Sequence, residues 1–156
     1  MKKEVIFICS GNTCRSPMAE YLLKSALLEA KISDNFSVIS AGTATDGCSP
    51  ASTLAVQVMR DFDSNIAKHR SQKVTQKLLD GANVIFCLTE NHRKFLLANF
   101  RGIEKKCFLV KEFLNHKNKD IADPFLGTIK DYEHVRDDIR VAMDSIVKFL
   151  VNDCKA

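Results

Sequence analysis

Apolar positions along the chain follow two rhythms. Val5-Ile6-Phe7-Ile8 is an unbroken apolar run ending at Cys9, and Asn83 to Leu88 is another, set between Asp80-Gly81 and Thr89. Continuous apolar runs this short read as strands buried on both faces. Phe36 to Ile39 and Lys106 to Val110 read as two further strands. Elsewhere the spacing is helical. Met18, Leu22, Leu23, Ala26 and Leu27 recur at helical intervals through about Ala30; Pro17 suits the first turn, where its missing N–H is no loss. Ser16 reads as the N-cap. Pro50 opens a helix from Ala51 to about Met59, Val74 to Leu79 reads as a short one, and Thr89 caps another over Glu90 to Ala98. Tyr132, Val135, Ile139, Ala142, Ile146 and Phe149 predict one long amphipathic helix from Ile129 to Val151, with Asp131, Glu133, Asp137 and Asp138 as its solvated face. Thr43 to Pro50, Asn65 to Ser71 and Lys111 to Lys130 are irregular.

Strands alternating with helices predict an α/β fold, a four-stranded parallel sheet with helices on both faces. The first two strands are joined through a helix, the connection a parallel pair requires. With no internal repeat, linker or composition shift, residues 1–156 read as a single domain. The 46% apolar and 27% charged residues are those of a globular chain with a real core. A net charge of +4, without a dense basic block, argues against nucleic-acid binding and leaves a modest attraction for phosphorylated partners. No apolar run approaches the ~20 residues of a membrane span, and the run after Met1-Lys2-Lys3-Glu4 is too short for a signal peptide. Six cysteines (Cys9, Cys14, Cys48, Cys87, Cys107 and Cys154) at irregular spacing do not resemble a disulfide framework. The expectation is a cytoplasmic enzyme with reduced thiols, acting as a monomer.

Chemistry concentrates where the first strand ends. Cys9 is followed by Ser10-Gly11-Asn12-Thr13-Cys14, then Arg15, Ser16 and a helix N-terminus. Small residues in a turn let backbone N–H groups converge on an oxyanion, and a helix N-terminus adds unpartnered N–H groups and partial positive charge. Arg15 supplies a permanently charged fork suited to two phosphate oxygens. The same surroundings are expected to lower the pKa of Cys9 and make it a nucleophile. A core cysteine needs no neighbouring Arg, a nucleotide loop would end in Gly-Lys-Ser/Thr, and Cys9 and Cys14 are too far apart for a Cys-x-x-Cys pair. The stretch reads as a phosphate-cleaving site. Ser40-Ala41-Gly42 closes the second strand, at the edge where sites collect in open α/β sheets. Taken alone, His69 reads as an ordinary surface or core residue, Asp123-Pro124 as a turn, and Cys87 as a packing residue.

The string CSGNTCRSPMAE, with Ser40-Ala41-Gly42, His69-Arg70 and Asp123-Pro124-Phe125, resembles the low-molecular-weight protein tyrosine phosphatases over nearly the whole chain. The resemblance implies that Cys9 is the nucleophile of a cysteinyl-phosphate pathway and Arg15 its phosphate clamp. It implies that Asp123 is the general acid and then the base. The amides of Ser10, Gly11, Asn12, Thr13, Cys14 and Ser16 would hold the phosphoryl oxygens, with Phe125 beside the substrate. Asn12, Ser16, Ser40 and His69 would brace the loop, and the Ser16 hydroxyl would favour the Cys9 thiolate. Oxidation could join Cys9 to Cys14 and block the nucleophile reversibly. No cofactor or metal is implied, and the four histidines lack ligand spacing. Partners are phosphorylated proteins or peptides, not nucleic acid or membranes.

Within that family, GNTCRSPMAE with a later Asp-Pro-Phe resembles the bacterial protein arginine phosphatases. Thr13 stands where phosphotyrosine-specific members commonly carry a larger aliphatic residue. Phosphoarginine is therefore expected ahead of phosphotyrosine. Arsenate reductases share the loop, but they relay oxidation to further cysteines on a flexible segment, whereas Cys87 and Cys107 fall in strands. A phosphopeptide-binding module would have no need of both Cys9 and Asp123.

Overall fold

The computed structural model describes residues 1–155, with side chains through Asp153; Cys154 lies outside the described side chains. Its strands are β1 (Lys3–Cys9), β2 (Phe36–Gly42), β3 (Val84–Cys87) and β4 (Cys107–Leu109). Its helices are α1 (Arg15–Glu29), α2 (Thr53–Met59), α3 (Gln76–Gly81), α4 (Glu90–Asn99), α5 (Ile129–Val141) and α6 (Met143–Lys155). The strands form one parallel sheet in the order β2-β1-β3-β4, as the alternation of elements predicts.

Period-two alternation divides β1 between two cores. Val5, Phe7 and Cys9 pack with residues of α1, α2, α5 and α6, while Ile6 and Ile8 pack with Leu79 of α3 and Leu96 of α4. Helices therefore cover both faces, which is why Val5 to Cys9 of β1 and all of β3 are apolar and buried. Because β2 lies on one side of β1 and β3 on the other, the chain leaving β1 enters the crevice where the strand order reverses. The carboxyl end of β1 is a natural place for a ligand loop.

Gly42 is needed at the end of β2. A Cβ there would collide with the carbonyl oxygen of Ser10, and the adjoining backbone binds the loop directly, Thr43 N–H to Cys9 O and Ala44 N–H to Ser10 O.

Three sequence expectations are corrected. The helix predicted from Ile129 to Val151 is two helices separated at Ala142. Ser145 Oγ–H donates to Ala142 O at 2.7 Å, and Ala142 N–H bonds back to Ile139 O at 3.1 Å. Buried Ile139, Ala142, Met143 and Ile146 carry the apolar spacing through the break, so the pattern could not reveal it. Ser16 is not the N-cap. Arg15 already begins α1, and the Ser16 hydroxyl is turned to Cys9. The helix expected from Ala51 begins at Thr53, because the Ser52 hydroxyl accepts from Ala55 N–H and sets its start there. Thr89 does cap α4, accepting from His92 N–H at 3.2 Å. The acidic face of α5 is only partly idle, since Asp131 completes a capping box with Thr128 and Asp138 pairs with buried Lys111 at 2.6 Å. No helix among the described residues is long and apolar enough to cross a membrane.

Candidate active site

A cavity of about 200 Å³ opens at the end of β1, lined by the loop from Cys9 to Arg15 together with Asp123 and Phe125. Residues more than a hundred positions apart thus share one pocket. Its volume is small beside the several hundred Å³ of drug-sized ligand sites and suits a compact headgroup. Phe125, 65% exposed, lines the cavity as an apolar wall open to solvent.

The loop is held by a chain of hydroxyl and amide contacts. Asn12 sits at φ 57°, a left-handed conformation that Asn tolerates better than most residues. Its Nδ2 donates to Ser16 Oγ at 2.7 Å and Ser40 Oγ at 2.9 Å, while its Oδ1 accepts from Gln72 N–H. Ser40 Oγ–H in turn donates to Glu20 Oε1 at 2.7 Å. Ser16 Oγ, already accepting from Asn12, has its own proton free for Cys9 Sγ, 2.8 Å away. His69 Nε2 donates to the backbone carbonyl of Asn12 at 2.7 Å. Asn12, Ser16, Ser40 and His69 are thus brought together by these contacts.

Burial pushes the Cys9 thiol up, while the Ser16 hydroxyl, the amides of Ser16 and Asn12 and the Arg15 guanidinium pull it down. Burial prevails, contrary to the lowered value expected from the loop's composition. The sulfur lies beneath the loop, only 2% exposed, and composition cannot report that depth. Ionisation therefore leans on the surrounding donors. Ser16→Ala is expected to slow alkylation of Cys9 near neutral pH about tenfold, the loss of one hydrogen bond to a charged acceptor. Peptide mass analysis after iodoacetamide treatment reads this out. An unchanged rate would mean that Ser16 does not support the thiolate.

Arg15 is buried, and its Nη1 donates to Ile121 O at 3.0 Å. Its Nη2 lies 3.5 Å from Asp123 Oδ2, and Asp123 Oδ1 accepts from Phe125 N–H at 3.1 Å. Asp123 is half exposed and so can reach both solvent and cavity. Thr13 lines the cavity, and its carbonyl accepts from Ser52 N–H. Cys14 Sγ is turned toward Ser52 Oγ and Tyr132 Oη, at 3.4 and 3.3 Å. Burial, with Cys14 alongside, raises the Tyr132 hydroxyl to about 12.

A match to the family model for low molecular weight phosphotyrosine protein phosphatase spans residues 4–156. The chain belongs to this family. It is a phosphatase enzyme. It is 34% identical to the protein-arginine-phosphatase of Bacillus subtilis over 96% of this chain and 98% of the relative. The enzyme of the same name from Geobacillus stearothermophilus is 35% identical over 96% and 97%. Among solved structures, the YwlE arginine phosphatase, as a cysteine-to-serine variant with a phosphorylated active-site serine, superimposes with a TM-score of 0.89. That match is 31% identical and covers 96% of this chain and 97% of the other. Arsenate reductase of Staphylococcus aureus is a more distant relative, 26% identical over 92% of this phosphatase and 95% of its own length.

Several residues around the site were not singled out by sequence reasoning. Glu20 anchors the Asn12–Ser40 chain, and a carboxylate buried in the first turns of α1 is its only local signal. Buried His92 bonds through Nε2 to Ser10 Oγ and through Nδ1 to Thr89 Oγ1, both at 2.9 Å. Burial and the nearby Arg15 charge lower its pKa to about 4. No sequence pattern announces it. Cys87 and Cys107, in neighbouring strands, have sulfurs 3.7 Å apart, a spatial pair that their twenty-residue separation hides. Both are buried in the sheet, and neither lines the cavity.

Proposed function

We propose that this phosphatase removes phosphoryl groups from phosphorylated protein side chains through a cysteinyl-phosphate, favouring phosphoarginine over phosphotyrosine. The observation carrying this reading is the meeting in one small cavity of the Cys9 sulfur, the buried Arg15 fork and the Asp123 carboxyl. In the first step the Cys9 sulfur attacks phosphorus, and the dianionic phosphoryl group takes up the thiol proton as it enters. The S–P bond forms as the P–N or P–O bond to the side chain breaks. Protonated Asp123 gives its proton to the departing nitrogen or oxygen. Arg15 and the amides of the loop would meet the negative charge that develops beside the sulfur, worth a few kcal/mol for each well-placed donor. In the second step Asp123 takes a proton from water, the water oxygen bonds to phosphorus, and the S–P bond breaks to release phosphate.

Three things support the choice of phosphoarginine. Thr13, stiff at χ1, lines the cavity, where its methyl would shape the mouth against a broad aromatic ring. The Asp123 carboxyl lines the cavity, and its oxygens can accept from the N–H groups of a guanidinium even while it holds the proton it donates. Two relatives identical at about a third of positions carry the name protein-arginine-phosphatase. Thr13→Ile is expected to lower the ratio of phosphoarginine to phosphotyrosine turnover about tenfold or more, within the range that small changes of pocket shape produce. Parallel kcat/KM measurements on two peptides differing only in the phosphorylated residue test it. The same ratio in both proteins would remove the role assigned to Thr13.

A further inference from the structure

We propose that Ser10 is a side-chain ligand of the bound phosphoryl group, its hydroxyl aimed by the positioning residues His92 and Thr89. This rests on the reading of the cavity as a phosphoryl site, and it concerns a donor distinct from the loop's backbone amides. Ser10 lines the cavity, and its Oγ bonds to His92 Nε2 at 2.9 Å. Behind it, His92 Nδ1 meets Thr89 Oγ1 at 2.9 Å, and the same Oγ1 accepts the backbone N–H of His92. The imidazole is thus clamped between two hydroxyl groups in a buried position.

Counting protons orients this chain. His92 is neutral near pH 7 and carries one ring proton. Thr89 Oγ1 accepts the backbone N–H through one lone pair, and among the described residues the only acceptor for its own proton is Nδ1. The tautomer that gives the Thr89 proton this acceptor has Nδ1 accepting and Nε2–H donating to Ser10 Oγ. The Ser10 proton is left without a protein acceptor among the described residues, on a side chain at the cavity wall. A phosphoryl oxygen is the acceptor it fits. His92 adds no charge to the site. Its function is to keep the Ser10 oxygen from turning away and to prevent its proton from being spent on the imidazole. Sequence placed neither residue in this role, because 82 positions separate them.

The test uses the full chain as wild type, Ser10→Ala, His92→Leu, His92→Gln and the double variant Ser10→Ala/His92→Leu. Inorganic phosphate serves as competitive inhibitor, and the unfolding temperature of each variant is measured alongside. Ser10→Ala is expected to weaken phosphate inhibition about tenfold, the loss of one hydrogen bond to an anion, with an unchanged unfolding temperature. His92→Leu is expected to lose a similar factor in the wild-type background and almost nothing when Ser10 is already Ala. His92→Gln, whose amide can donate from close to the Nε2 position, is expected to recover most of the loss. Phosphate inhibition unchanged in Ser10→Ala would overturn the proposal. So would an equal loss from His92→Leu in both backgrounds, since His92 would then act through the fold. Should His92→Leu fail to fold, Ser10→Ala and His92→Gln decide between the same outcomes. A wild-type enzyme that phosphate does not inhibit would overturn the reading of the cavity itself, and this proposal with it.

Discussion

Replacing Cys9 with Ser is expected to reduce phosphate release from phosphopeptides by about four orders of magnitude or more, the scale seen when an enzyme's nucleophile is removed. A hydroxyl is a far weaker acid and nucleophile than a thiol, and Ser16 offers it no base, since Ser16 Oγ accepts from Asn12 and directs its own proton at residue 9. The change leaves Arg15 in place and exchanges sulfur for oxygen as the acceptor of the Asn12 N–H, 3.3 Å away. Competitive inhibition by inorganic phosphate is therefore expected to stay within a few-fold of wild type, within the latitude of a single altered contact. Loss of turnover with binding kept would separate the nucleophile from the cradle. A Ser variant turning over within tenfold of wild type would show that the phosphoryl group never transfers to residue 9.

Asp123→Ala is expected to lower kcat on phosphopeptides by about 10²- to 10³-fold, the usual contribution of a positioned general acid. The loss is expected to be much smaller with p-nitrophenyl phosphate, whose leaving group departs without a proton. The contrast between substrates matters because Asp123 has a second relationship, its carboxylate lying 3.5 Å from the Arg15 guanidinium. Were its role only to orient or neutralise Arg15, both substrates would suffer alike. Removing the carboxylate also leaves Arg15 more positive toward an incoming anion, so KM is expected to hold or fall rather than rise. Equal losses on both substrates, or a rise in KM without a change in kcat, would remove Asp123 from proton transfer. The exposure of this side chain leaves it free to act on a group entering from solvent, which a buried ion pair would not permit.

What was legible in advance was local. The run from Val5 to Leu27 contains a buried strand, a turn of small residues and a helix start in unbroken succession, and each announces itself through near neighbours in the chain. The Thr89 cap was legible for the same reason. Ser16 shows the limit of local rules: its place ahead of a helical pattern reads as a cap, yet its hydroxyl serves the Cys9 sulfur. The break at Ala142 was hidden because buried residues keep their helical spacing across it. Cys9 was expected to be acidic from its neighbours in sequence, but the depth of its burial acts the other way.

By itself the sequence determined the strand–loop–helix unit, its cysteine and arginine, and the parallel α/β plan, because apolar period and turn chemistry act between near neighbours. Only the tertiary structure decided that Asp123 faces Arg15, that Glu20 and His69 hold Asn12, and that His92 holds Ser10. Those meetings follow from parallel crossovers that gather the carboxyl ends of β1, β2 and β3 at one edge. Side chains far apart in the chain converge there, at distances that no residue spacing encodes.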